Sequence, residues 1–549
     1  MRNRFLALPS AFVVLALAAC GSGGAATTGS GGSGGHPTTT TGGAGHGGQG
    51  GAPAPGPSAW NRDVTPPPDD EAAAKRLACA YKAGSLPAET QGASHPSGAG
   101  IPIDHIIVVM QENRSFDHYF MKLPEKGQTD VEVAPAAFTN PDAQNKPIAP
   151  YHDTAYCLVD TNHSWAGLHL EYGGGKMDGF VLANDNAGTP PPHPLTDSMS
   201  GVRAMSYYDD TDIPFYYFLA NEFAIADHYH CSLLGPTWPN RMYLYAASSR
   251  GATENKLVSF SDRKGACATD AECGGAAGSC VNGGCKGTCQ ADTDCGVDAP
   301  AGTCDVAGGG VCGKIGRTLF DYLEQRKVDW KVYATLTPGF ALTLDAWLQY
   351  REEHQKTIDD YYADAAAGTL PAVAFVDPHI GAEAYNQDDE HPPASPQPGQ
   401  QFVAKVIDAL TKSPNWSRSA LFVTYDEHGG LWDHVPPPEA CPPGDIAPAI
   451  DPGDPPGDFD RYGVRVPMIV VSPFAKKHFV GHHVYDHTSI VRFIEDRFTI
   501  GAITNRDANA EAPWEMFDFA SPPHATPPAI TIPTIDQAKM DACKAVWVP

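Results

Sequence analysis

Four side chains with oxygen donors follow closely after two apolar runs of this sequence. The runs are Ile103–Met110 and Ala420–Tyr425, and the four side chains are those of Glu112, Asn113, Asp426 and Glu427. If the two runs lie side by side, three carboxylates and an amide oxygen meet at one point, which is unfavourable without a cation. Oxygen ligands suit a hard or borderline divalent metal ion. The residues alone also allow a second interpretation, in which they are exposed loop carboxylates of an acidic protein.

A hydroxyl side chain lies in a third segment, GPTWPNR at 235–241. This segment follows a predicted strand, Phe223–His230, and precedes a predicted helix, Met242–Ser248. Thr237 at such a turn is well placed to meet a phosphate, because the N–H groups and the dipole at a helix N-terminus attract anions. An isolated threonine at this position is also typical of a helix N-cap, and that alternative stays open.

The scaffold that positions these side chains can be inferred from apolar runs and helical patterns. The runs predict buried strands at Ile103–Met110, Ala372–Val376, Ala420–Tyr425 and Val466–Val471. Helical patterns accompany them at Arg317–Arg326, Gln401–Lys412 and Thr488–Phe498. Strands that alternate with helices predict an α/β fold, in which helices cover both faces of a mostly parallel sheet. Sites in such a fold form at the C-terminal ends of the strands.

Five strings of the sequence resemble, in order, the bacterial phospholipase C and acid phosphatase family of phosphoesterases. They are DHIIVVMQENRSFDHYF at 104–120, GPTWPNR at 235–241, YDEHGGLWDHVPPP at 425–438, GVRVPMIVVSP at 463–473 and YDHTSIVRFIE at 485–495. Together they cover most of the chain from Ile101 to Ile500. Because several long strings recur in the family's order, the resemblance is far more specific than any single motif.

The resemblance implies a fold related to the alkaline phosphatases, with one divalent metal ion of unknown identity at the strand ends. By motif match, the metal ligands are Glu112, Asn113, Asp426 and Glu427. Thr237 is the implied nucleophile, and its oxygen would also bind the metal. The small Cys-rich insertion described below is no part of this fold.

The resemblance also implies which residues surround the substrate. His163, in NHSW at 162–165, matches a histidine that contacts phosphate, and Asn113 and His391 would hold other phosphate oxygens. Glu390 and His391 match an acid–histidine pair near the leaving group, in which the family's acid is typically Asp. In the implied mechanism the threonine attacks phosphorus to give a phosphothreonine intermediate, and Glu390 or His391 protonates the departing oxygen.

The implied function is that of a metal-dependent phosphoester hydrolase, a phospholipase C that cleaves phospholipids. Thr rather than Ser at position 237 favours the phospholipase branch. Many phospholipases of the family carry further C-terminal β-domains, whereas this sequence stops soon after the last matching string, so an acid phosphatase-type phosphomonoesterase acting on small phosphoesters is an alternative. A third hypothesis is a surface-binding lipoprotein with an inactive phosphoesterase core, and the intact set of implied site residues argues against it.

The N-terminus predicts export. Two arginines precede the apolar run Ala11–Ala19, which is too short for a transmembrane helix and is typical of a secretory signal. Leu17-Ala-Ala-Cys20 resembles a bacterial lipobox, in which case Cys20 carries lipid and anchors the protein to a membrane. An ordinary signal peptide with an incidental cysteine is the alternative, and the protein would then be secreted. Gly21 in place of Asp favours the outer membrane or cell surface.

The sequence predicts four segments: a signal peptide at 1–19, a flexible Gly/Pro/Thr-rich tether at 20–75, and a catalytic domain at 76–549 that is interrupted by a Cys-rich insertion at 263–314. The insertion, whose protein partner is unknown, contains Cys267, Cys273, Cys280, Cys285, Cys289, Cys295, Cys304 and Cys312. An even number of cysteines in an exported chain predicts disulfides. With Cys20 assigned to lipid, five cysteines remain, so at least one of them should be unpaired: Cys79, Cys157, Cys231, Cys441 and Cys543.

Composition and charge restrict the partners. The 549 residues include 42% hydrophobic residues, enough for a sizeable core. The formal net charge of −27 argues against a nucleic-acid-binding surface, which requires a positive field. The same charge repels anionic lipid head groups, which favours zwitterionic or soluble phosphoester substrates.

Overall fold

The computed structural model describes residues 58–255, 318–337, 339–340, 351–380, 384–444 and 447–549, and short pieces of backbone between 280 and 312. The predicted signal peptide, the lipidated Cys20 and the first part of the predicted tether lie outside these residues. So does most of the Cys-rich insertion, and with it the predicted disulfides among its eight cysteines. The described backbone there forms two antiparallel ladders, Cys280–Val281 with Gly284–Cys285 and Cys304–Asp305 with Val311–Cys312.

A mostly parallel sheet runs through the described residues. Its eight strands are, in chain order, β1 (His105–Gln111), β2 (Ala224–Ala226), β3 (Trp330–Ala334), β4 (Gln355–Thr357), β5 (Val373–Asp377), β6 (Ser419–Tyr425), β7 (Met468–Val471) and β8 (Phe479–Gly481). They lie in the order β4-β3-β5-β1-β6-β7-β2-β8, and among these eight only β7 is antiparallel to its neighbours. All residues of β5, β6 and β7 are buried, as expected for strands covered on both faces. The predicted α/β fold is confirmed.

Helices connect and cover the strands. In the described part of the chain they are α1 (Asp69–Leu77), α2 (Pro87–Thr90), α3 (Phe116–Phe120), α4 (Trp165–Tyr172), α5 (Phe180–Asn184), α6 (Pro214–Glu222), α7 (Thr237–Ala246), α8 (Leu319–Arg326), α9 (Arg351–His354), α10 (Ile358–Ala367), α11 (Pro396–Thr411), α12 (His487–Phe498), α13 (Asn505–Ala508) and α14 (Gln537–Trp547). None of the helices in that part of the chain is long and apolar enough to cross a bilayer.

Two helices begin five residues earlier than the sequence pattern predicts. α7 begins at Thr237 and contains Pro239 in its first turn, and α11 begins at Pro396 with Ser395 as its N-cap. Proline is tolerated in a first helical turn because the N–H groups there have no partner within the helix. The prolines therefore belong to the helices and do not precede them.

Three strands of the sheet were not predicted from apolar runs. β4 consists of Gln, Lys and Thr at one edge of the sheet, β8 has three residues at the other edge, and Lys331 interrupts the apolar pattern of β3. The predicted strand Phe223–His230 is shorter than expected, since only Ala224–Ala226 pairs within the sheet. Edge strands bury fewer side chains, so their sequences carry a weaker periodic signal.

Disulfides connect distant parts of the chain. They join Cys79 to Cys441 and Cys157 to Cys543, across sequence separations of 362 and 386 residues. Cys231 is buried and unpaired, which confirms the prediction that at least one of the five remaining cysteines is free. The packed structure starts earlier than residue 76, because α1 begins at Asp69 and Trp60 is part of the hydrophobic core.

Candidate active site

Two strand ends meet at the carboxyl edge of the sheet. The last residues of β1 and β6 are paired, so the segments that follow them lie side by side. The backbone N–H groups of Asn113 and Glu427 both donate to Oδ1 of Asp426, with N–O distances of 3.2 and 2.8 Å. The four residues with predicted oxygen donors are at most 2% exposed. The alternative of exposed loop carboxylates is therefore wrong.

The turn after β1 has an unusual backbone. Asn113 has a φ of 60°, in the left-handed region that asparagine tolerates better than most residues. Gly429 packs against it so closely that a Cβ on this glycine would lie 2.7 Å from Cβ of Asn113. The Asn after β1 and the Gly after β6 thus fit together and hold both strand ends in register.

Each of the four predicted ligands keeps one buried oxygen that accepts no hydrogen bond from the described residues. These atoms are Oε1 of Glu112, Oδ1 of Asn113, Oδ2 of Asp426 and Oε1 of Glu427. Buried acceptors are normally satisfied, because an unsatisfied one costs free energy. Four such oxygens, three of them on carboxylates, fit a divalent cation of the hard or borderline class.

Arg241 of α7 contacts this group. Its Nη2 atom lies 3.1 Å from Oε1 of Glu112 and its Nε atom lies 3.4 Å from Oδ2 of Asp426. Nη2 also donates to the carbonyl oxygens of Met110 and Gln111 at the end of β1, at 3.2 and 3.3 Å. Arg241 therefore fixes the first half of α7 against the strand ends and offsets part of their negative charge.

Thr237 is the first residue of α7, one turn before Arg241. Residues four apart lie on the same face of a helix, and Thr237 is buried. The N-cap of α7 is Pro236, and no side-chain cap bond is present, whereas Ser115 and Ser164 cap α3 and α4 with their hydroxyl groups. The alternative in which Thr237 is an N-cap is therefore wrong.

Two histidines and an aspartate form a neighbouring group. His163 and His391 lie with ring centroids 5.4 Å apart, and Nδ1 of His163 is 3.6 Å from Oδ1 of Asp160. Ligand atoms of the three residues lie within 4.8 Å of one another. Nδ1 of each histidine bonds to a backbone carbonyl, that of Thr161 at 2.8 Å and that of Pro392 at 2.6 Å, which leaves Nε2 available to a ligand.

Glu390 is buried among tyrosine side chains. Its carboxylate accepts hydrogen bonds from Tyr119 at 2.5 Å, from Tyr425 at 2.8 Å and from Tyr216. These bonds hold the carboxylate within a cage of tyrosine hydroxyl groups. Its neighbour Asp389 is closer to the site, as the following contacts show.

Asp389 connects the histidine group to the strand ends. Its Oδ1 atom accepts a hydrogen bond from the backbone of His391 at 3.1 Å, and its carbonyl oxygen accepts one from the backbone of Glu112 at 2.8 Å. Burial and the charge of Glu112 raise the pKa of Asp389 well above its ordinary value. An aspartate two residues before His391 thus lies next to the site.

Comparison with known proteins now identifies the family. The sequence profile of the Phosphoesterase family matches residues 103–501, a range that includes all of the site residues described above. This chain belongs to the phosphoesterase family. The predicted family and the prediction of a hydrolase that acts on phosphoester bonds are confirmed.

Relatives of this phosphoesterase include bacterial phospholipases. It is 30% identical to "Phospholipase C A" of Mycobacterium tuberculosis, over 81% of this chain and 82% of the relative. It is 31% identical to "Non-hemolytic phospholipase C" of Burkholderia pseudomallei, over 79% of this chain and 62% of the relative. A solved protein of the alkaline phosphatase superfamily from Vibrio parahaemolyticus matches 78% of this chain and 94% of its own at 10% identity, but its TM-score of 0.28 is too low to support an argument.

The pKa values of both the acids and the histidines of the phosphoesterase site are shifted, for different physical reasons. Burial raises the pKa of Glu112 to about 7 against the opposing effect of Arg241, and burial likewise raises the pKa of Glu427 well above its ordinary value. Burial alone would lower the pKa of His163 and His391, but the nearby carboxylates, of which Asp160 has the largest effect, together outweigh it and both pKa values are raised. Both histidines are therefore suited to carry a proton near neutral pH.

Sequence reasoning missed several residues of the phosphoesterase site. They are Asp160, Arg241 and Asp389. His487, in the YDHTSIVRFIE string, contacts the carbonyl oxygen of Asp426 through Nε2 at 2.7 Å. Arg241 was detectable, because a cluster of buried carboxylates needs a positive partner and an arginine ends the GPTWPNR string. Asp160 has the spacing of an acid three residues before His163, but such spacing is common by chance.

Proposed function

We propose that this phosphoesterase is a metal-dependent phospholipase C that uses Thr237 as its nucleophile. The observation that carries the proposal is the set of four buried oxygens that accept no hydrogen bond from the described residues, two of which lie in ion-pair contact with Arg241. They lie beside a helix whose first residue, Thr237, does not act as its N-cap. The names of the relatives, phospholipase C, support phospholipids as the substrate class. A catalytic domain that starts before residue 76 and extends to residue 549, with the insertion at 263–314, is part of this proposal.

Glu112, Asn113, Asp426 and Glu427 would hold one divalent metal ion, with the hydroxyl group of Thr237 as a further ligand. The donor set consists of oxygen atoms alone, which fits such an ion and leaves its identity open. A bound ion would supply positive charge that lowers the pKa of a hydroxyl ligand and offsets the charge of the phosphate.

The residues of the chain carry the steps of the reaction. Oγ1 of Thr237 releases its proton to solvent and attacks phosphorus, and the bond from phosphorus to the glycerol oxygen breaks. The glycerol oxygen takes a proton from His391, which frees diacylglycerol and leaves a phosphothreonine. Water then gives a proton to His391 and attacks phosphorus, the bond to Thr237 breaks, Oγ1 of Thr237 regains a proton from solvent, and the phosphorylated head group leaves.

The histidine group would bind the phosphate during these steps. His163 and His391 have raised pKa values, so each can donate a charge-assisted hydrogen bond to a phosphate oxygen. Asn113 would donate a third bond from its side-chain amide, whose Nδ2 atom has no hydrogen-bond partner among the described residues. Such donors stabilise the charge that develops in the transition state.

A substitution at Thr237 tests the nucleophile. We expect Thr237→Ala to lower kcat on phosphatidylcholine by about 10⁴-fold or more, since the reacting oxygen is removed. Thr357→Ala is a matched control, because Thr357 also begins a helix but caps it by accepting a hydrogen bond from Asp360. We expect the control to cost about 1 kcal/mol of stability and to keep full activity. Full activity of Thr237→Ala would refute the mechanism.

Substrate comparison tests the function itself. The purified protein is assayed on phosphatidylcholine and on p-nitrophenyl phosphate, with and without a chelator. We expect chelator-sensitive release of diacylglycerol from phosphatidylcholine. Hydrolysis of the monoester alone would indicate the phosphatase alternative, and no hydrolysis of either substrate with several metals would indicate a binding protein.

We further propose that the protein is exported through the signal at 1–19 and anchored by lipid on Cys20, with residues up to the packed domain as a tether. The disulfides Cys79–Cys441 and Cys157–Cys543 support export, because such bonds persist in oxidising compartments. Cys20→Ala should move the protein from the membrane fraction to the soluble fraction. Membrane retention of this variant would contradict lipid anchoring.

A further inference from the structure

The end of the chain contacts the segment that leads to His163. We term residues 533–547, which include α14, the C-terminal strap. Cys543 of the strap forms the disulfide with Cys157, six residues before His163. Nε1 of Trp547 donates a hydrogen bond to the carbonyl oxygen of Cys157 at 3.3 Å. A covalent bond and a hydrogen bond from the strap therefore meet at one residue of this segment.

A lysine of the strap adds to this contact. Nζ of Lys539 lies 3.5 Å from the ring centroid of Tyr156 and 3.7 Å from Oδ1 of Asp212. The hydroxyl group of Tyr156 donates a hydrogen bond to the same oxygen at 2.6 Å. Asp212 is buried, and a buried carboxylate requires such partners. The strap and the domain thus enclose the start of the segment from two sides.

The first part of the strap contacts α11, the helix that follows His391. The backbone N–H of Asp536 donates to Oε1 of Gln397 at 2.5 Å, and Nε2 of Gln401 donates to the carbonyl oxygen of Pro533 at 3.1 Å. Gln397 lies in the first turn of α11, six residues after His391. The strap therefore connects the two segments that carry the site histidines, whose ring centroids are 5.4 Å apart.

Regular secondary structure does not hold His163 in place. Between the short strand Tyr151–His152 and α4 the chain, all of which is described there, forms no helix or strand. Arg203 donates to the carbonyl oxygens of Val159 and Asp160 at 3.1 and 2.9 Å, which anchors the middle of this segment to the domain. The position of the histidine thus depends on tertiary contacts, and the strap supplies those at the start of the segment.

The strap buries few apolar side chains of its own. Of the 11 residues of α14, only Met540 and Cys543 are buried. A helix with so narrow an apolar face gains little free energy from the hydrophobic effect. The disulfide is therefore the main attachment of α14, and its removal should release the helix from the segment that precedes His163.

We propose that the C-terminal strap, through the disulfide between Cys543 and Cys157, is a positioning element that holds His163 beside His391 for phosphate binding. The inference rests on the proposed function and makes it more specific, because it gives the end of the chain a part in phosphate binding. The strap acts through the position of His163 and is not itself a group that contacts the substrate.

Removal of the disulfide tests the strap. The full-length protein with Cys157→Ala and Cys543→Ala is compared with a matched control, Cys79→Ala and Cys441→Ala. The two disulfides span 386 and 362 residues, so the chain-entropy model predicts nearly equal losses of stability. Neither cysteine of the control lies in a segment that carries a site histidine.

Phosphate affinity is the decisive measurement on these two variants. Inorganic phosphate is used as a competitive inhibitor of the hydrolysis of phosphatidylcholine, at a temperature where both variants are folded. We expect kcat/KM and the affinity for phosphate to fall about tenfold in the strap variant and by less than about twofold in the control. Equal losses in the two variants would overturn the proposal.

Hydrogen exchange tests the strap independently of activity. We expect the backbone N–H groups of residues 157–164 to exchange faster in the strap variant than in the control, while those of β1 and β6 exchange alike. Equal exchange at 157–164, or faster exchange without a difference in phosphate affinity, would overturn the proposal. If the wild type hydrolyses neither phosphatidylcholine nor p-nitrophenyl phosphate, the proposed function itself fails, and faster exchange would then show a strap that only supports the fold.

A milder pair of variants applies if the disulfide variants do not fold. Trp547→Phe removes the indole N–H that bonds to Cys157 and keeps the disulfide. Trp416→Phe is its control, because it removes a similar bond to the carbonyl oxygen of His524. We expect about a twofold loss of phosphate affinity in Trp547→Phe and no loss in the control. Equal affinities in these two variants would overturn the proposal.

Discussion

Two clusters of buried charged residues contain side chains that follow the same two strands, β1 and β6. The clusters differ in how many of their oxygens accept hydrogen bonds. The first, which we term the metal cluster, consists of Glu112, Asn113, Asp426 and Glu427. The second, which we term the arginine cluster, consists of Asp117, Asp433, His434 and Arg465. In the metal cluster each residue keeps one buried oxygen without a hydrogen-bond donor, whereas no atom of the arginine cluster is left in this state.

The arginine cluster is internally balanced. Arg465 bonds to Oδ1 of Asp433 at 2.9 Å and lies 3.3 Å from Oδ1 of Asp117, while Nδ1 of His434 bonds to Oδ2 of Asp117 at 2.5 Å. Ligand atoms of Asp117, Asp433 and His434 also come within 4.8 Å of one another. Residue types and proximity alone therefore do not identify a metal site. What distinguishes the two clusters is hydrogen bonding among the described residues. Oδ1 of Asn113 and Oε1 of Glu427 accept no hydrogen bond there, and Oε1 of Glu112 and Oδ2 of Asp426 have ion-pair contacts with Arg241 in place of hydrogen bonds.

The largest effect on stability is expected in the arginine cluster. Arg465→Met leaves the buried carboxylates of Asp117 and Asp433 without their cation, and we expect a loss of about 3–5 kcal/mol. Arg418→Met is the control, because Arg418 pairs with Asp104 near the surface and should contribute about 0–1 kcal/mol. The free energy of unfolding is measured by urea denaturation. Equal losses in both variants would contradict a structural role for the cluster.

Metal binding should stabilise the protein through the metal cluster alone. At a metal concentration of about 100 times Kd, the expected gain is about 2.7 kcal/mol. We expect Asp426→Asn to abolish this gain, because it removes one of the carboxylate ligands. Asp433→Asn should begin from a lower stability and still show the gain. A metal-dependent gain that survives in Asp426→Asn but not in Asp433→Asn would reverse the assignment of the two clusters.

The clusters should also respond to pH with opposite signs. The pKa of Glu112 is raised to about 7 by burial, so the unfolded chain releases this proton first and the stability of the metal-free protein falls between pH 4.5 and 7. The expected fall is about 3 kcal/mol, and Glu112→Gln should flatten it. Denaturation curves in the presence of a chelator across this range measure the effect. A metal-free stability that rises over this range would contradict it.

Asp117 provides the opposite case. Burial alone would raise its pKa, but Arg465 and His434 outweigh this effect and lower it below its ordinary value. A carboxyl group of this kind contributes stability above its unfolded pKa, and this contribution is lost as the pH falls through the folded pKa. Asp117→Asn should therefore reduce the acid sensitivity of the protein, whereas Glu112→Gln should not.

The sequence predicts the metal cluster better than the residues around it. Glu112 and Asp426 each follow a strong apolar run that predicts a strand. Because parallel strands bring their carboxyl ends to the same edge of a sheet, the α/β fold predicts that these two residues lie close together. Arg241 and Asp389 contact Glu112 from chain positions more than one hundred residues away, and no local pattern encodes such a contact. For Glu390 the sequence motif suggested a catalytic role. Its hydrogen bonds with tyrosine side chains come from distant parts of the chain, so no local pattern predicts them.

The smallest effect tests whether Asp160 acts on the histidines or merely packs beside them. Its carboxylate opposes the effect of burial and raises the pKa of both His163 and His391. Asp160→Asn should lower both pKa values, so the protonated histidines are lost at a lower pH and the alkaline limb of the kcat/KM profile moves to lower pH. We expect about a three- to fivefold loss at pH 8 and little change at pH 6. A uniform loss at both pH values would mean that Asp160 only supports the loop, and an unchanged profile would separate the histidines from catalysis.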